Sequence, residues 1–122
     1  MESKKYKRIF ISGPVSSYLR NEEDGWLRCY NAFQLTEEKL HRQYPGAKVV
    51  NPMDLCDPKW CWLRCMVVCL RQLRQCDAVC MRPQWINSRG SRLENGFAIR
   101  WGKDILMEAG EYIHAMQEGG TR

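Results

Sequence analysis

Glu94 is the residue of this sequence whose type and position most clearly suggest chemistry. It lies one turn into a predicted helix, after a buried strand and a loop rich in glycine, serine and arginine. Because helical neighbours lie three and four residues apart, Glu94 shares a face with Phe97, Ala98 and Trp101. An acid on such a face must be capped, paired or used in chemistry. We therefore expect this strand–loop–helix unit to be the functional site.

The loop before this helix, Ser88-Arg89-Gly90-Ser91, has the composition of an anion site. Backbone amides at a helix N-terminus bind anions, and Arg89 and Arg92 would add positive charge. A capping box is the alternative, in which Ser91 caps the helix and Glu94 only reaches back to the Ser91 amide. That pattern is common and, taken alone, favours a structural role for Glu94. Both interpretations stay open from the sequence.

Hydrophobic periodicity predicts strands that alternate with helices. The predicted strands are Arg8–Ser12, Lys48–Val50, Ala78–Met81 and Asp104–Met107; the predicted helices run from about Asp24 to Gln43, about Trp60 to Gln75, Ser91 to Trp101 and Glu111 to Gln117. The second helix is expected to bury an apolar stripe made of Leu63, Met66, Val67, Leu70 and Leu73. Alternation of this kind predicts a small doubly wound, Rossmann-like α/β domain, with a parallel sheet of four or five strands and helices on both faces.

Ligands of open parallel sheets bind beyond the carboxyl ends of the strands. Three loops should meet there, beginning Gly13-Pro14, Asn51-Pro52 and Arg82-Pro83-Gln84-Trp85. Gly13-Pro14 is either a simple turn or one wall of a ligand site. Trp85 either stacks on a nucleobase or covers the edge of the core. The chain has no Gly-x-Gly-x-x-Gly or Walker A sequence, so dinucleotide or ATP binding by those loops is not predicted.

Composition limits the class of protein. With 122 residues the chain is expected to form a single domain, 1–122, whose residues 1–7 are a basic tail. No stretch approaches the ~20 apolar residues of a membrane span, and the N-terminus lacks the apolar region of a signal peptide. We expect a cytoplasmic protein without a membrane partner. The net charge of +5 suits a phosphorylated small ligand, but without a basic stripe interleaved with aromatics it does not predict nucleic-acid binding.

The seven cysteines are an odd number, and most fall inside predicted helices and strands. We interpret them as reduced and mostly buried. Cys61, Cys65 and Cys69 form a stripe at helical spacing that could present thiolates to a metal. A metal site is nevertheless not predicted, because there is no Cys-x-x-Cys pair and both histidines lie far away in sequence.

Four segments, taken together, resemble the nucleoside 2-deoxyribosyltransferase-like family, and within it the small domain-of-unknown-function branch of bacteria and phages. The matching segments are Ile9-Phe10-Ile11-Ser12-Gly13-Pro14, Val49-Val50-Asn51-Pro52, Cys76-Asp77-Ala78-Val79 and Pro83-Gln84-Trp85-Ile86-Asn87-Ser88-Arg89-Gly90-Ser91-Arg92-Leu93-Glu94. They occur in the family's order and span Ile9 to about Ile105. The last segment is the most specific.

The resemblance implies cleavage or transfer at the N-glycosidic bond of a nucleoside or nucleoside 5′-monophosphate. The glutamate that matches Glu94 attacks the anomeric carbon in such enzymes, and water or another base resolves the glycosyl intermediate. No metal or organic cofactor is implied, and relatives are usually homo-oligomers. The expected substrate-binding residues are Ser12, Gly13, Pro14, Asn51, Trp85, Ser88, Arg89 and Gly90.

Two positions depart from the family's pattern. Phe10 stands where family enzymes commonly have a tyrosine, and Cys69 stands where they carry an aspartate that helps the base to leave. General acid–base help of this kind is typically worth about a hundredfold or more. These departures favour an alternative, a catalytically impaired nucleotide-binding protein that acts as a sensor or sequestering module. A domain that mediates only protein contacts is a third possibility.

Overall fold

One five-stranded sheet organises the chain, in a computed structural model that describes residues 6–15, 25–57, 59–110 and 112–117. The strands are β1 (Arg8–Ser12), β2 (Lys48–Val50), β3 (Ala78–Met81), β4 (Asp104–Ala109) and β5 (Tyr112–Gln117). The helices are α1 (Gly25–Gln43), α2 (Pro52–Leu55), α3 (Trp62–Arg74) and α4 (Arg89–Arg100), with a 3₁₀ turn at Trp85–Asn87. The predicted start of the first helix at Asp24, that of the last helix at Glu111 and residues 1–5 of the predicted tail lie outside the described residues.

The strands lie in the order β2-β1-β3-β4-β5, and all neighbouring pairs are parallel except β4 and β5. This topology confirms the predicted α/β fold. Its first three strands have the predicted bounds, because each is a short apolar segment that ends at a turn or a polar residue. Parallel pairing also puts the carboxyl ends of β1, β2 and β3 at one edge of the sheet.

Alternate residues of each strand point to opposite faces of the sheet, and each face carries its own apolar core. On one face, Ile9 and Ile11 of β1 belong to the same cluster as Phe33 of α1. On the other, Phe10 belongs to a cluster with Leu73 of α3 and Ala98 of α4. Helices therefore cover both faces, as predicted, and α3 and α4 lie on the face opposite α1.

The C-terminal segment corrects one prediction. Residues 112–117 form β5, an antiparallel strand, whereas a helix is predicted over Glu111–Gln117. Gly110 explains the difference, because its φ of 64° permits the tight turn that pairs Ala109 with Tyr112. A second correction is that β4 continues to Ala109, two residues beyond the predicted Met107.

A glutamine side chain covers part of the outer edge of β5. The Gln43 amide group donates to the carbonyl oxygen of Ile113 at 3.0 Å and accepts from the Ile113 amide nitrogen at 2.6 Å. Both backbone groups of Ile113 are thus satisfied by the end of α1. The side chain of Ile113 itself is buried in the apolar core between the sheet and α1.

The buried face of α3 differs from the predicted stripe. Met66 and Leu73 are buried, but Leu63 is 64% exposed and Val67 44% exposed. Cys69 occupies the centre of the buried face instead. The predicted stripe was wrong at Leu63 and Val67, and it did not include Cys69, which packs there as a small hydrophobe in line with the expected burial of the cysteines.

A disulfide joins Cys56, which follows α2, to Cys65 in α3, with 5.7 Å between their Cα atoms. The expectation that all seven cysteines are reduced is therefore wrong for this pair. Cys56 and Cys65 are nine residues apart in sequence, and the turn between α2 and α3 brings them together. The other five are free thiols, four buried and Cys61 exposed.

Candidate active site

A cavity of about 190 Å³ opens beyond the carboxyl ends of β1 and β2, on the face covered by α3 and α4. The first two loops expected at this edge line the cavity, and the third, which begins at Arg82, contributes only through Ser88 at its end. The lining residues are Gly13, Val15, Trp26, Pro52, Met53, Cys56, Asp57, Trp60, Trp62, Cys65, Met66, Cys69, Ser88, Gly90, Ser91 and Glu94.

Glu94 is buried at the wall of this cavity, with 6% of its surface exposed. The Ser12 hydroxyl, at the end of β1, donates a hydrogen bond to Glu94 Oε1 at 2.5 Å. Helix α4 begins at Arg89 rather than Ser91, and its N-cap is Ser88, whose hydroxyl accepts from the Ser91 amide at 3.3 Å. The capping-box interpretation is therefore wrong, because Glu94 lies in the second turn and is paired across the fold.

The environment of Glu94 changes its acidity. Burial raises the pKa of Glu94 from an ordinary value of 4.5 to about 7, and the hydrogen bond from Ser12 opposes that rise. Near neutral pH the side chain is therefore divided between a carboxylate, which can attack an electrophile, and a carboxylic acid, which can donate a proton. Shifted acids of this kind occur in clefts that carry out acid–base or nucleophilic chemistry.

The N-terminus of α4 supplies the polar side of the cavity through Ser88, Gly90 and Ser91. Gly90 packs closely against α3, since a Cβ there would lie 3.0 Å from the sulfur of Met66. The Ser91 hydroxyl is buried and has no hydrogen-bond partner among the described residues. A buried polar group normally has a partner, so this hydroxyl is suited to a ligand atom. The sequence placed Ser91 in the anion-site loop or at the helix cap, but it did not assign this hydroxyl to a ligand.

Three tryptophans form the aromatic side of the cavity: Trp26, Trp60 and Trp62. The Arg64 guanidinium lies 4.3 Å from the centre of the Trp60 ring, and the Arg89 guanidinium lies 4.4 Å from the Trp62 ring. These stacked cations add positive charge to residues that line the cavity. From the sequence alone, Trp60 could stack on a base or pack in the core, and core packing is the favoured role.

Several predicted binding residues lie outside the lining. Trp85 packs on the apolar core between the sheet and helices α3 and α4. Arg89 does not line the cavity, but its guanidinium group lies on the ring of Trp62, which does. Asn51 is buried as the N-cap of α2, accepting from the Met53 amide at 2.9 Å. Pro14 is not among the lining residues, although Gly13 and Val15 on either side of it are.

The positions that depart from the family's pattern have different surroundings. Cys69 is buried in the cavity wall, and burial together with the neighbouring Glu94 charge raises the pKa of its thiol. It is therefore neutral near pH 7. Phe10 is fully buried in the α3/α4-side core and does not line the cavity.

Gly13 provides a test of how tightly the cavity wall is built. A Cβ at Gly13 would lie 2.9 Å from Arg82 Cβ, which cannot swing away as the end of a flexible side chain would. We expect Gly13→Ala to destabilise the protein by about 1–3 kcal/mol, measured by urea unfolding. Gly96→Ala is the matched control, since nothing lies near that position in α4 and the change should stabilise the helix by about 0.5–1 kcal/mol. Equal effects of the two changes would contradict the close approach to Arg82.

The strand order and the position of the cavity define a doubly wound α/β protein whose cavity lies at the carboxyl ends of the parallel strands. Two solved structures share this fold. A CMP N-glycosidase of Clostridium botulinum, BcmB, has a TM-score of 0.50 at 23% identity, over 83% of this chain and 70% of that one. A 2-desoxiribosyltransferase of Leishmania mexicana has a TM-score of 0.52 at 22% identity, over 83% of this chain and 63% of that one.

The family is shown by sequence. Residues 7–107 match the family described as "Domain of unknown function (DUF4406)", and the chain belongs to that family. No curated protein gives a significant match. Among the described residues, no helix is long and apolar enough to cross a membrane.

Proposed function

We propose that this protein cleaves the N-glycosidic bond of a nucleoside or nucleoside 5′-monophosphate, by hydrolysis or by transfer to another base, with Glu94 as the nucleophile. The observation that carries the proposal is a buried carboxylate, held by Ser12, at the wall of a cavity that also has an aromatic side and a polar side. Two structures of the same fold are named as a CMP N-glycosidase and a 2-desoxiribosyltransferase, which agrees with this chemistry.

The proposed reaction has two displacements at the anomeric carbon. A carboxylate oxygen of Glu94 attacks that carbon, the carbon–nitrogen bond breaks, and its electron pair leaves with the base, which takes up a proton. Water or a second base then displaces Glu94 and restores the carboxylate. The negative charge of Glu94 also stabilises the positive charge that develops on the sugar ring. The hydrogen bond from Ser12 fixes one carboxylate oxygen and leaves the other available for attack.

The aromatic side of the cavity suits the base of such a substrate, and the polar side suits its sugar or phosphate. A base can stack on an indole of Trp26, Trp60 or Trp62. The hydroxyls of Ser88 and Ser91, at the positive end of α4, suit a sugar hydroxyl or a phosphate. At about 190 Å³ the cavity is smaller than the ~300 Å³ typical of small-molecule pockets, which favours a compact substrate.

Cys69 favours the second candidate, a protein that binds the nucleotide without turning it over. The neutral, buried thiol cannot replace the carboxylate that family enzymes use to help the base to leave. A binding protein would keep the cavity and the affinity but release no base.

Incubation with a panel of ribo- and deoxyribonucleosides, with and without a 5′-phosphate, tests the proposal. Free base is measured by chromatography, and binding of the same compounds is measured by calorimetry. We expect base release from at least one member that also binds. Binding without release by every member would support the binding protein, and neither binding nor release would overturn both candidates.

The expected homo-oligomer and cytoplasmic location stay predictions. Leu63 and Val67, on the exposed side of α3, are apolar residues that a partner subunit would cover. Sedimentation measurements on the full chain would test the oligomer directly.

A further inference from the structure

Three cysteines converge at the cavity from two separate elements. Cys56 follows α2, and Cys65 and Cys69 lie one turn apart on α3. Their sulfur atoms all lie within 4.8 Å of one another. Cys56 and Cys65 form the disulfide, and the Cys69 sulfur lies 3.7 Å from that of Cys56. All three residues line the cavity that Glu94 also lines.

The spacing of the sulfurs matches a known kind of coordination. Zinc binds thiolates at about 2.3 Å, and a tetrahedral arrangement then places the sulfurs about 3.8 Å apart. The distance between Cys56 Sγ and Cys69 Sγ, 3.7 Å, already has this value. Once the disulfide is reduced, the Cys65 sulfur needs to move by only about 1–2 Å to complete a trigonal set of ligands.

Asp57 and Glu94 put two acidic side chains at the wall of the same cavity. A bound divalent cation would supply the missing positive charge and stabilise the thiolates. Soft thiolate ligands select zinc or copper(I) over magnesium or calcium.

We propose that, when the disulfide is reduced, Cys56, Cys65 and Cys69 together bind one thiophilic cation, of which Zn²⁺ is the representative, at the wall of the cavity. Three S–H bonds break, three protons pass to solvent, and three metal–sulfur bonds form without electron transfer. The disulfide form cannot bind the cation in this way, because two of its three ligands are joined to each other. Because the three residues line the cavity, a further coordination position is open to water or to a ligand there.

The test uses the full chain in its two redox states. A phosphine reduces the disulfide, taking its oxygen from water to become the phosphine oxide while two thiols form, and is then removed under anaerobic conditions. Zn²⁺ bound per chain is counted by native mass spectrometry, and Co²⁺ is used as a second probe because cobalt–thiolate bonds absorb light. We expect one metal ion per reduced chain, a cobalt–thiolate band, and neither signal in the disulfide form.

Two substitutions separate this site from other thiols of the chain. Cys69→Ser removes one ligand while leaving the Cys56–Cys65 pair intact, and should weaken binding at least about tenfold. Cys61→Ser is the matched control, because Cys61 is exposed, is the N-cap of α3 and lies outside the cluster. Cys56→Ser provides a second ligand variant if Cys69→Ser does not fold, which circular dichroism will show.

Failure of the reduced chain to bind Zn²⁺ would overturn the proposal. So would unchanged binding by the folded ligand variant, or loss of binding in Cys61→Ser. These readouts are independent of glycosidic-bond cleavage, so the metal site and the proposed function stand or fail separately.

Discussion

Glu94→Gln is expected to lower base release by about 10⁴-fold or more while leaving substrate binding measurable. Glutamine has nearly the shape of glutamate and can still accept the hydrogen bond from Ser12. It cannot attack an anomeric carbon, since its amide oxygen is a poor nucleophile and carries no charge to stabilise the cationic sugar. The rate of base release and the substrate dissociation constant are both measured, for the substrate that the panel identifies.

Two further variants sharpen this result. Glu38→Gln removes an exposed carboxylate from α1 and should leave the rate unchanged. Ser12→Ala removes the hydrogen bond to Glu94 and should lower the rate at neutral pH by about tenfold, because it favours the protonated acid. Undiminished release by Glu94→Gln would show that this carboxylate is not the nucleophile.

The same substitution is expected to change how stability depends on pH. Burial raises the pKa of Glu94 to about 7, against 4.5 for an ordinary glutamate. Between pH 4.5 and about pH 7, the Glu94 side chain therefore binds a proton when the protein folds. The stability of the wild-type protein therefore falls as pH rises through this window, because the fold must then hold a buried carboxylate. Between about pH 5 and pH 8 the loss attributable to Glu94 is about 2–3 kcal/mol.

Urea unfolding of the wild type and Glu94→Gln, at several pH values, measures this loss. The free energy of unfolding of Glu94→Gln minus that of the wild type should increase by about 2–3 kcal/mol from pH 5 to pH 8. The comparison uses only the change of this difference with pH, because the buried glutamine amide of the variant adds a contribution that does not depend on pH. Glu38→Gln is again the control. A difference that stays flat with pH would mean that Glu94 is not buried as a raised-pKa acid.

The sheet could be predicted well because its signals are local. Strands such as Arg8–Ser12 and Ala78–Met81 are short apolar segments bounded by turns, and the bounds of both are as predicted. Residues 112–117 have no comparable signal, since only Ile113 among those whose side chains are described is buried. Their strand is specified by the turn at Gly110 and by pairing with β4, which a periodicity argument does not include.

The position of Glu94 near a cavity could be predicted, because ligands of open parallel sheets bind beyond the carboxyl ends of the strands. The residues that contact Glu94 could not be predicted. Ser12 and Glu94 are 82 residues apart, and only the packing of α4 against the end of β1 brings them together. The same applies to Trp26 and Trp62, which line the cavity from different helices. The disulfide was missed for a related reason, since the position of Cys56 relative to α3 depends on the intervening turn.

The glutamine at the end of α1 has a consequence for association between molecules. An exposed edge strand offers unpaired amides and carbonyls, on which a strand of another molecule can add. At Ile113 these groups are already bonded to Gln43, so an incoming strand would have to displace two hydrogen bonds there. At Ile113 the margin of the sheet is thus protected against fibril-like growth, and replacing the glutamine would expose these two groups.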